Sequence, residues 1–560
     1  MSAENYTGDA IFDKNTKIDP RDGRLVLANM IWVIFALLIG GTAGLLQTLV
    51  RSGQFELPFG IGYYQLLTLH GVILALVLTF FFIMGFQTAA VSRVCGALNK
   101  VERTLGWIGF WFMTVGTLMA AAMIATNQAS VLYTFYAPLQ AHGLFYLGLT
   151  IVVVGTWLAA TGQIMRYQRW RRENKGQKSP LLAFMVAVNN VMWYVCTLGV
   201  ASSMLFQFIP WSFGMMETIN VKLTRTLFWY FGHALVYFWL LPAYMVWYVS
   251  IPKIIGIKGF SDKLARMSFV LFLFFSIPVG IHHQLVEPGI DAFWKGLQVV
   301  LTFMVIVPSL ITAFSLFATF ETYGRKQGAT GLLDWFKKLP WKDARFVLPF
   351  VGMLFFIPGG LGGIINASGQ MNQLVHNTIW IVGHFHITVG APVVLTYFGA
   401  MMFLLPHITG KRISTSMNTM GLWLAYTWAL GMGIMSTAMH IVGLKGAPRR
   451  STFSEYGGHE VAQEWISYQM MQAVGGVFLF IAIIIAVTLF VQLIMGPRSN
   501  EVEEFPVARF LDDDVIKVGW VENWRLLVII TIFLVLIAYT MPISQIFTES
   551  IAGSKGYKFW

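Results

Sequence analysis

The stretch IWIVGHFHITVG, from Ile379 to Gly390, carries His384 and His386 inside an otherwise apolar run. With its flanks, about 376–406, the run is long enough to cross a hydrocarbon core of about 30 Å. Two residues apart on a helix differ by about 200° in direction. The two imidazoles therefore face opposite sides of one span and serve two different sites.

The rest of the chain repeats the apolar pattern. Of 560 residues, 56% are hydrophobic and only 11% charged, against about 25% charged in a soluble domain. About thirteen spans are predicted, near 24–50, 64–90, 105–126, 140–166, 182–210, 225–251, 266–285, 294–320, 345–367, 376–406, 414–442, 467–495 and 524–547. The fold class is all-α, a polytopic transmembrane helical bundle. One domain is expected over 24–547, between a cytoplasmic segment at 1–23 and an external tail at 548–560. The polar first residues hold no signal-peptide core, so the N-terminus is expected to stay inside.

Charge sets the orientation. Of the 38 Lys and Arg residues, nine fall in the outer segments: Arg51, Lys222, Arg225, Lys295, Lys445, Arg449, Arg450, Lys555 and Lys558. The other 29 fall in the inner ones, as the positive-inside rule requires. The net charge of +12 thus speaks for a lipid membrane and not for nucleic acid. Cys95 and Cys196 lie far apart and have no metal-ligand spacing, so thiolate sites and a disulfide framework are not expected.

Six of the 11 histidines share one depth near the outer face. His70 starts the second span, His233 lies in the outer part of the sixth, His282 and His283 end the seventh, and His384 and His386 lie in the tenth. A lone imidazole in a span is most simply a hydrogen-bonded packing residue, and His142, His376 and His440 are read so, or as supports around the metal ligands. Six at one depth point to metal, because buried ionisable groups are costly and imidazole is a common iron and copper ligand. His70 is the natural partner across from one of the His384/His386 pair. The other would hold a metal with an open face. His233, His282 and His283 make a three-imidazole set. Tyr237, four residues after His233, lies on the same helix face one turn inward.

These residues, with the stretches YYQLLTLHGVILALV, TLFWYFGHALVYFWLLPAY, PVGIHHQLVEPGID, VPSLITAFS and APRR, resemble subunit I of the haem-copper oxygen reductases. The match is to the B-type, ba3-like branch and spans essentially all the helices. The resemblance implies a low-spin haem b on His70 and His386 and a high-spin haem, expected to be a-type, on His384. It implies a copper ion, CuB, on His233, His282 and His283, with Tyr237 cross-linked to His233. Arg449, Arg450, His376 and Asn372 would meet the haem propionates. Relatives carry Asp at the position of Asn372, so a titrating carboxylate is missing there. Leu235 stands where A-type members have an acid. That leaves one inward proton route of the K type, through Tyr244, Tyr248, Thr302, Ser309, Thr312 and Ser315 to Ser261.

The implied activity is four-electron reduction of O2 to water coupled to proton pumping, with Tyr237 supplying one of the four electrons. Cytochrome c is the implied donor, through a subunit II that carries a dinuclear copper centre. A small single-span accessory subunit belongs to the expected complex, in a prokaryotic plasma membrane. Two rivals remain. A nitric-oxide reductase shares the six histidines but needs acids beside the non-haem metal, and Glu287 lies past the membrane edge. A metal-free transporter leaves the histidine pairs unexplained.

Overall fold

A computed structural model describes residues 17–501, 503–513, 519–549 and 553–560. Most of the expected inner segment at 1–23, and residues 550–552 of the expected tail, lie outside these. Twelve helices are long and apolar enough to cross a membrane. They are α1 (Pro20–Arg51), α2 (Tyr63–Cys95), α3 (Lys100–Ala125), α4 (Gly143–Glu173), α5 (Leu181–Ser212), α6 (Val221–Ile254), α8 (Ala292–Lys326), α9 (Ala344–Ala367), α10 (Trp380–Thr409), α11 (Thr415–Leu444), α12 (Glu460–Met495) and α13 (Trp524–Glu549).

The expected seventh span differs from the others. Its helix, α7 (Asp262–Phe275), has only 14 residues. A turn at Ser276–Val279 follows, and then one tight 3-10 turn, Gly280–Gln284, that holds His282 and His283. Pro278 supplies no N–H and ends the regular ladder. Neighbouring helices take over the freed donors. Gly280 N–H donates to the Tyr539 hydroxyl at 2.8 Å and Ile281 N–H to Gln298 Oε1 at 2.7 Å. Gly280 also lets the chain approach α6, since a Cβ there would lie 2.1 Å from the Trp229 carbonyl oxygen.

Burial sorts the helices by position. The apolar windows of α6 and α10 are 89% and 83% buried, whereas those of α8, α12 and α13 are 28%, 33% and 33% buried. The histidine-bearing α6 and α10 are thus central, and the other three are peripheral. Close backbone contact joins α3 to α4: a Cβ at Gly109 would lie 2.5 Å from the Gly155 carbonyl oxygen, and one at Gly116 2.4 Å from that of Gly148. Small residues allow this approach in a medium where apolar side chains gain nothing over lipid.

Three short π-helical segments fall beside candidate residues: Val72–Leu78 just after His70, Val246–Ser250 around Tyr248, and His386–Gly390. In the last, Ala391 N–H bonds back to the His386 carbonyl at 3.0 Å. The Trp428 indole N–H takes the Gly390 carbonyl at 2.8 Å. Such bulges leave carbonyls free and recur at functional sites.

Candidate metal centre

One apolar cavity of about 630 Å³ lies between α1, α2, α6, α8, α9, α10, α11 and α12. All six candidate histidines line it, together with Tyr237, Thr302, Ser309, Arg449 and Arg450.

His70 and His386 face each other with rings 12° from parallel and centroids 6.3 Å apart. That gap admits one metal between two imidazole nitrogens at bonds of about 2 Å. His70 Nδ1–H donates to the Gly40 carbonyl at 2.9 Å, and His386 Nδ1–H to that of Val382 at 2.8 Å. Both bonds hold the tautomer that leaves Nε2 free to ligate. Gly44 is cut to fit His70, since a Cβ there would lie 2.8 Å from the ring.

His384 points away from His386. Thr388 donates its hydroxyl proton to the His384 carbonyl at 2.7 Å, so its oxygen accepts from His384 Nδ1–H at 3.2 Å. Here too Nε2 is left over. Gly362 clears the ring, for a Cβ there would be 2.6 Å from Nδ1.

The third set converges most closely. Donor atoms of His233, His282 and His283 all lie within 4.8 Å of one another. His233 Nδ1 and His283 Nε2 are 3.1 Å apart, and the His282 and His283 ring centroids are 4.2 Å apart. On a regular helix adjacent side chains diverge by about 100°; the broken end of the seventh span lets both turn toward α6. His282 Nδ1–H donates to Thr302 Oγ1 at 3.0 Å, because that hydroxyl spends its own proton on the Gln298 carbonyl at 2.6 Å. The Trp229 ring stacks on His283 at 3.7 Å. His233 Nε2 is buried and has no partner. The Tyr237 ring centroid lies 5.0 Å from that of His233.

A hydroxyl cluster continues along α6 beyond Tyr237. The Tyr248 hydroxyl donates to Thr312 Oγ1 at 3.0 Å and lies 3.3 Å from Ser268 Oγ. Ser309 reaches Tyr244, and Ser315 faces Tyr248. Ser268 closes this cluster and was not singled out from sequence. A lone Ser on an apolar helix gives no pattern to find. Thr302 stands apart from it as the support of His282. Ser261 is also elsewhere: it caps α7, donating to Asp512 Oδ2 at 2.6 Å and accepting from Leu264 N–H at 3.1 Å.

Outward of the cavity, Arg449 Nη2 donates to Asn377 Oδ1 at 2.8 Å while its Nε is buried without an acceptor. Burial, then the neighbouring Arg450, brings the Arg449 guanidinium down to about 10. Arg450 lies over the Tyr136 ring at 4.8 Å. His376 is held down to about 4, first by burial and then by Arg449, Arg225 and Arg450. Its Nε2 and the Oδ1 of Asn372 are both buried and unpartnered. Asn372 Nδ2 donates to the Asn366 carbonyl at 2.6 Å. Arg449, Arg450 and the ring of His376 thus form a rim of cations and unmet N–H donors suited to an anion, whereas the free atom of Asn372 is an acceptor. The donor sets and this polar rim fit two carboxylate-bearing haems and one copper.

A bundle of membrane-spanning length with six histidines around one central cavity points to the class of membrane metalloproteins. The chain matches the family described as Cytochrome C and Quinol oxidase polypeptide I over residues 24–478. It is 40% identical to cytochrome c oxidase subunit 1 of Thermus thermophilus over 482 residues, which is 84% of this chain and 85% of that one. It is 22% identical to quinol oxidase subunit 1 of Bacillus subtilis over 87% of this chain and 74% of that one. A haem-copper terminal oxidase dimer solved by cryo-EM superposes with a TM-score of 0.91 at 36% identity, covering 96% of this chain and 95% of that one.

The chain belongs to the haem-copper oxygen reductases, as their subunit I. It is therefore a multi-pass membrane subunit of a respiratory oxidase complex that includes a subunit II. Haems and a CuB ion are the cofactors this family implies.

Proposed function

We propose that O2 is reduced at the chamber between His384 and the trio His233, His282 and His283, with Tyr237 as the hydrogen donor. The observation that carries this reading is the convergence of three imidazoles within 4.8 Å on a cavity that His384 and Tyr237 also line. His384 would hold a high-spin, a-type haem, and His70 with His386 a low-spin haem b. When bound, the haem iron and copper supply a binding place for O2 and three of the four electrons that break its O–O bond.

The chain's own residues do the rest. Thr302 and Thr388 hold His282 and His384 in the tautomer that presents Nε2. Tyr237 gives up its hydroxyl proton and one electron. The implied cross-link to this tyrosine is supported by the unpartnered Nε2 of His233. Protons reach the site from the inner side through Ser315, Thr312, Tyr248, Tyr244 and Ser309. Ser261 and Asp512 stand at the inner end. Arg449, Arg450, His376 and Asn372 meet the propionates. Asn372 cannot ionise, so His376 or a propionate carries any proton that waits there.

Electrons would come from cytochrome c by way of the copper centre of subunit II, in a prokaryotic plasma membrane with the N-terminus inside. A single-span accessory subunit completes the proposed complex. The absence of an acid from the trio, with Glu287 paired to Arg225 at 3.0 Å, favours oxygen over nitric oxide as substrate.

Elemental analysis of the purified complex tests the reading. Two irons with one copper in this subunit, plus two coppers from subunit II, are expected. Three irons and no copper would point to a nitric-oxide reductase.

A further inference from the structure

Beside the Arg449–Arg450 loop, the α1–α12 wall of the cavity carries buried polar atoms that no residue satisfies. Arg51 ends α1 and is only 8% exposed. Its Nη2 donates to the Pro448 carbonyl at 2.8 Å and lies 3.5 Å from Ser451 Oγ, and the Tyr63 hydroxyl also meets its side chain, while its Nε is buried without an acceptor. Among the described residues, the ion pairs at this end of the bundle are Arg225–Glu287 and Lys445–Glu464, and neither reaches Arg51. On α12, Gln472 is 1% exposed, and both its Oε1 and its Nε2 are buried and unpartnered. Arg51 and Gln472 line the same cavity as His70.

Register places the two together. α1 and α12 run antiparallel, and a Cβ at Gly476 would lie 2.6 Å from Thr48 Oγ1. Thr48 thus faces Gly476, and one turn outward Arg51 comes level with Gln472. On α1, Gly40, Gly44 and Arg51 fall close to one helix face. Gly40 accepts from His70, Gly44 abuts its ring, and Arg51 follows two turns, about 10 Å, further out. A buried guanidinium with no counter-ion is strongly disfavoured, and so is a carboxamide with neither atom bonded. One carboxylate accepting from Arg51 Nε–H and Gln472 Nε2–H relieves the guanidinium and the amide donor together.

We propose that Arg51 and Gln472 form a carboxylate clamp for a propionate of the haem between His70 and His386, and so raise that haem's reduction potential. The proposal rests on the haem assignment above. A fixed cation beside the propionate offsets its negative charge. Reduction removes a positive charge from the iron, so a bare propionate favours the oxidised state, and a cation held against the propionate cancels that preference and raises the potential. Losing the clamp leaves the propionate charge unopposed, which stabilises the oxidised haem and lowers the potential.

The test is a spectroelectrochemical titration of the low-spin haem in the purified complex, with redox-difference infrared spectra of the carboxylate region. Arg51→Gln is expected to lower the reduction equilibrium constant tenfold or more, which is about 59 mV for one electron, and to shift a carboxylate band. Arg51→Lys, which keeps the charge, should restore most of the potential. Gln472→Leu should move both readouts in the same direction by less, and Gln472→Glu further than Leu. Selective loss of the low-spin haem in Arg51→Gln also supports the clamp. A full complement of bis-imidazole haem with unchanged potential and infrared bands in Arg51→Gln and Gln472→Leu overturns it. Should Arg51→Gln fail to assemble, the two Gln472 variants decide by the same criteria. A wild-type complex without a bis-imidazole haem signal would instead overturn the haem assignment.

Discussion

At the scale of the residue, Tyr237 and the two threonines beside the histidines make the sharpest predictions. Tyr237→Phe keeps the ring and removes the transferable proton. Turnover is expected to fall by orders of magnitude while haem and copper contents stay at wild-type levels; normal O2 consumption in such a variant would defeat the hydrogen-donor role. Thr302→Val takes away the acceptor that orients His282. Loss of such a supporting bond typically costs about 10–100-fold in metal affinity, so the copper should be stripped by chelators that leave the wild type intact. Thr312→Val breaks the bond with Tyr248 and is expected to slow proton uptake measured with a pH indicator in vesicles.

The metal-ligand candidates were legible because imidazoles are rare in an apolar chain. Ser268, Gln472 and Arg51 were not, since one polar residue at a helix face has no period to betray it. Their roles depend on what stands opposite.

At the scale of the element, the seventh span shows why local geometry matters. Hydropathy alone predicted one more crossing helix near 266–285. The chain instead stops being helical after Phe275, and that break lets two adjacent histidines reach one site. Pro278 hinted at distortion, but the partners that stabilise the opened turn, Tyr539 and Gln298, come from α13 and α8. Helix packing yields a further prediction. A side chain at Gly109 would meet the Gly155 carbonyl oxygen at 2.5 Å. Gly109→Val should therefore destabilise the subunit by about 1–3 kcal/mol, the usual cost of overpacking, seen as a lower midpoint of thermal unfolding in detergent. Ser261→Ala separates a cap from a proton carrier. Loss of a helix cap costs about 1 kcal/mol, so a stability change without slower proton uptake would make Ser261 a cap alone.

At the scale of the whole molecule, the end of the bundle where α7 begins is tied together by a buried ionic cluster. Arg266 bonds Asp262 at 2.7 Å, Glu522 at 2.8 Å and the Ser179 carbonyl at 2.5 Å, and so joins α7 to the segment before α13 and to the turn between α4 and α5. Arg266→Met would leave two carboxylates buried with less compensation. Breaking such a cluster costs about 3–5 kcal/mol, and faster thermal inactivation of the complex is the expected readout, with the haem spectra unchanged before heating.

The chain by itself determined that this is a membrane bundle of long apolar helices, one more than the twelve found, and that six imidazoles lie in or beside them. Those properties follow from hydropathy, from charge at the loops and from the fixed rise of a helix, all of which are local. It also showed that His384 and His386 face apart, because helical periodicity needs no neighbours. Only the tertiary structure decided that His282 and His283 both turn to His233, that Thr302 serves a histidine while Ser261 bonds Asp512, and that Arg51 and Gln472 line one cavity. Each of these depends on residues far apart in sequence brought within a few ångströms by packing. Such contacts leave no period along the chain from which to read them.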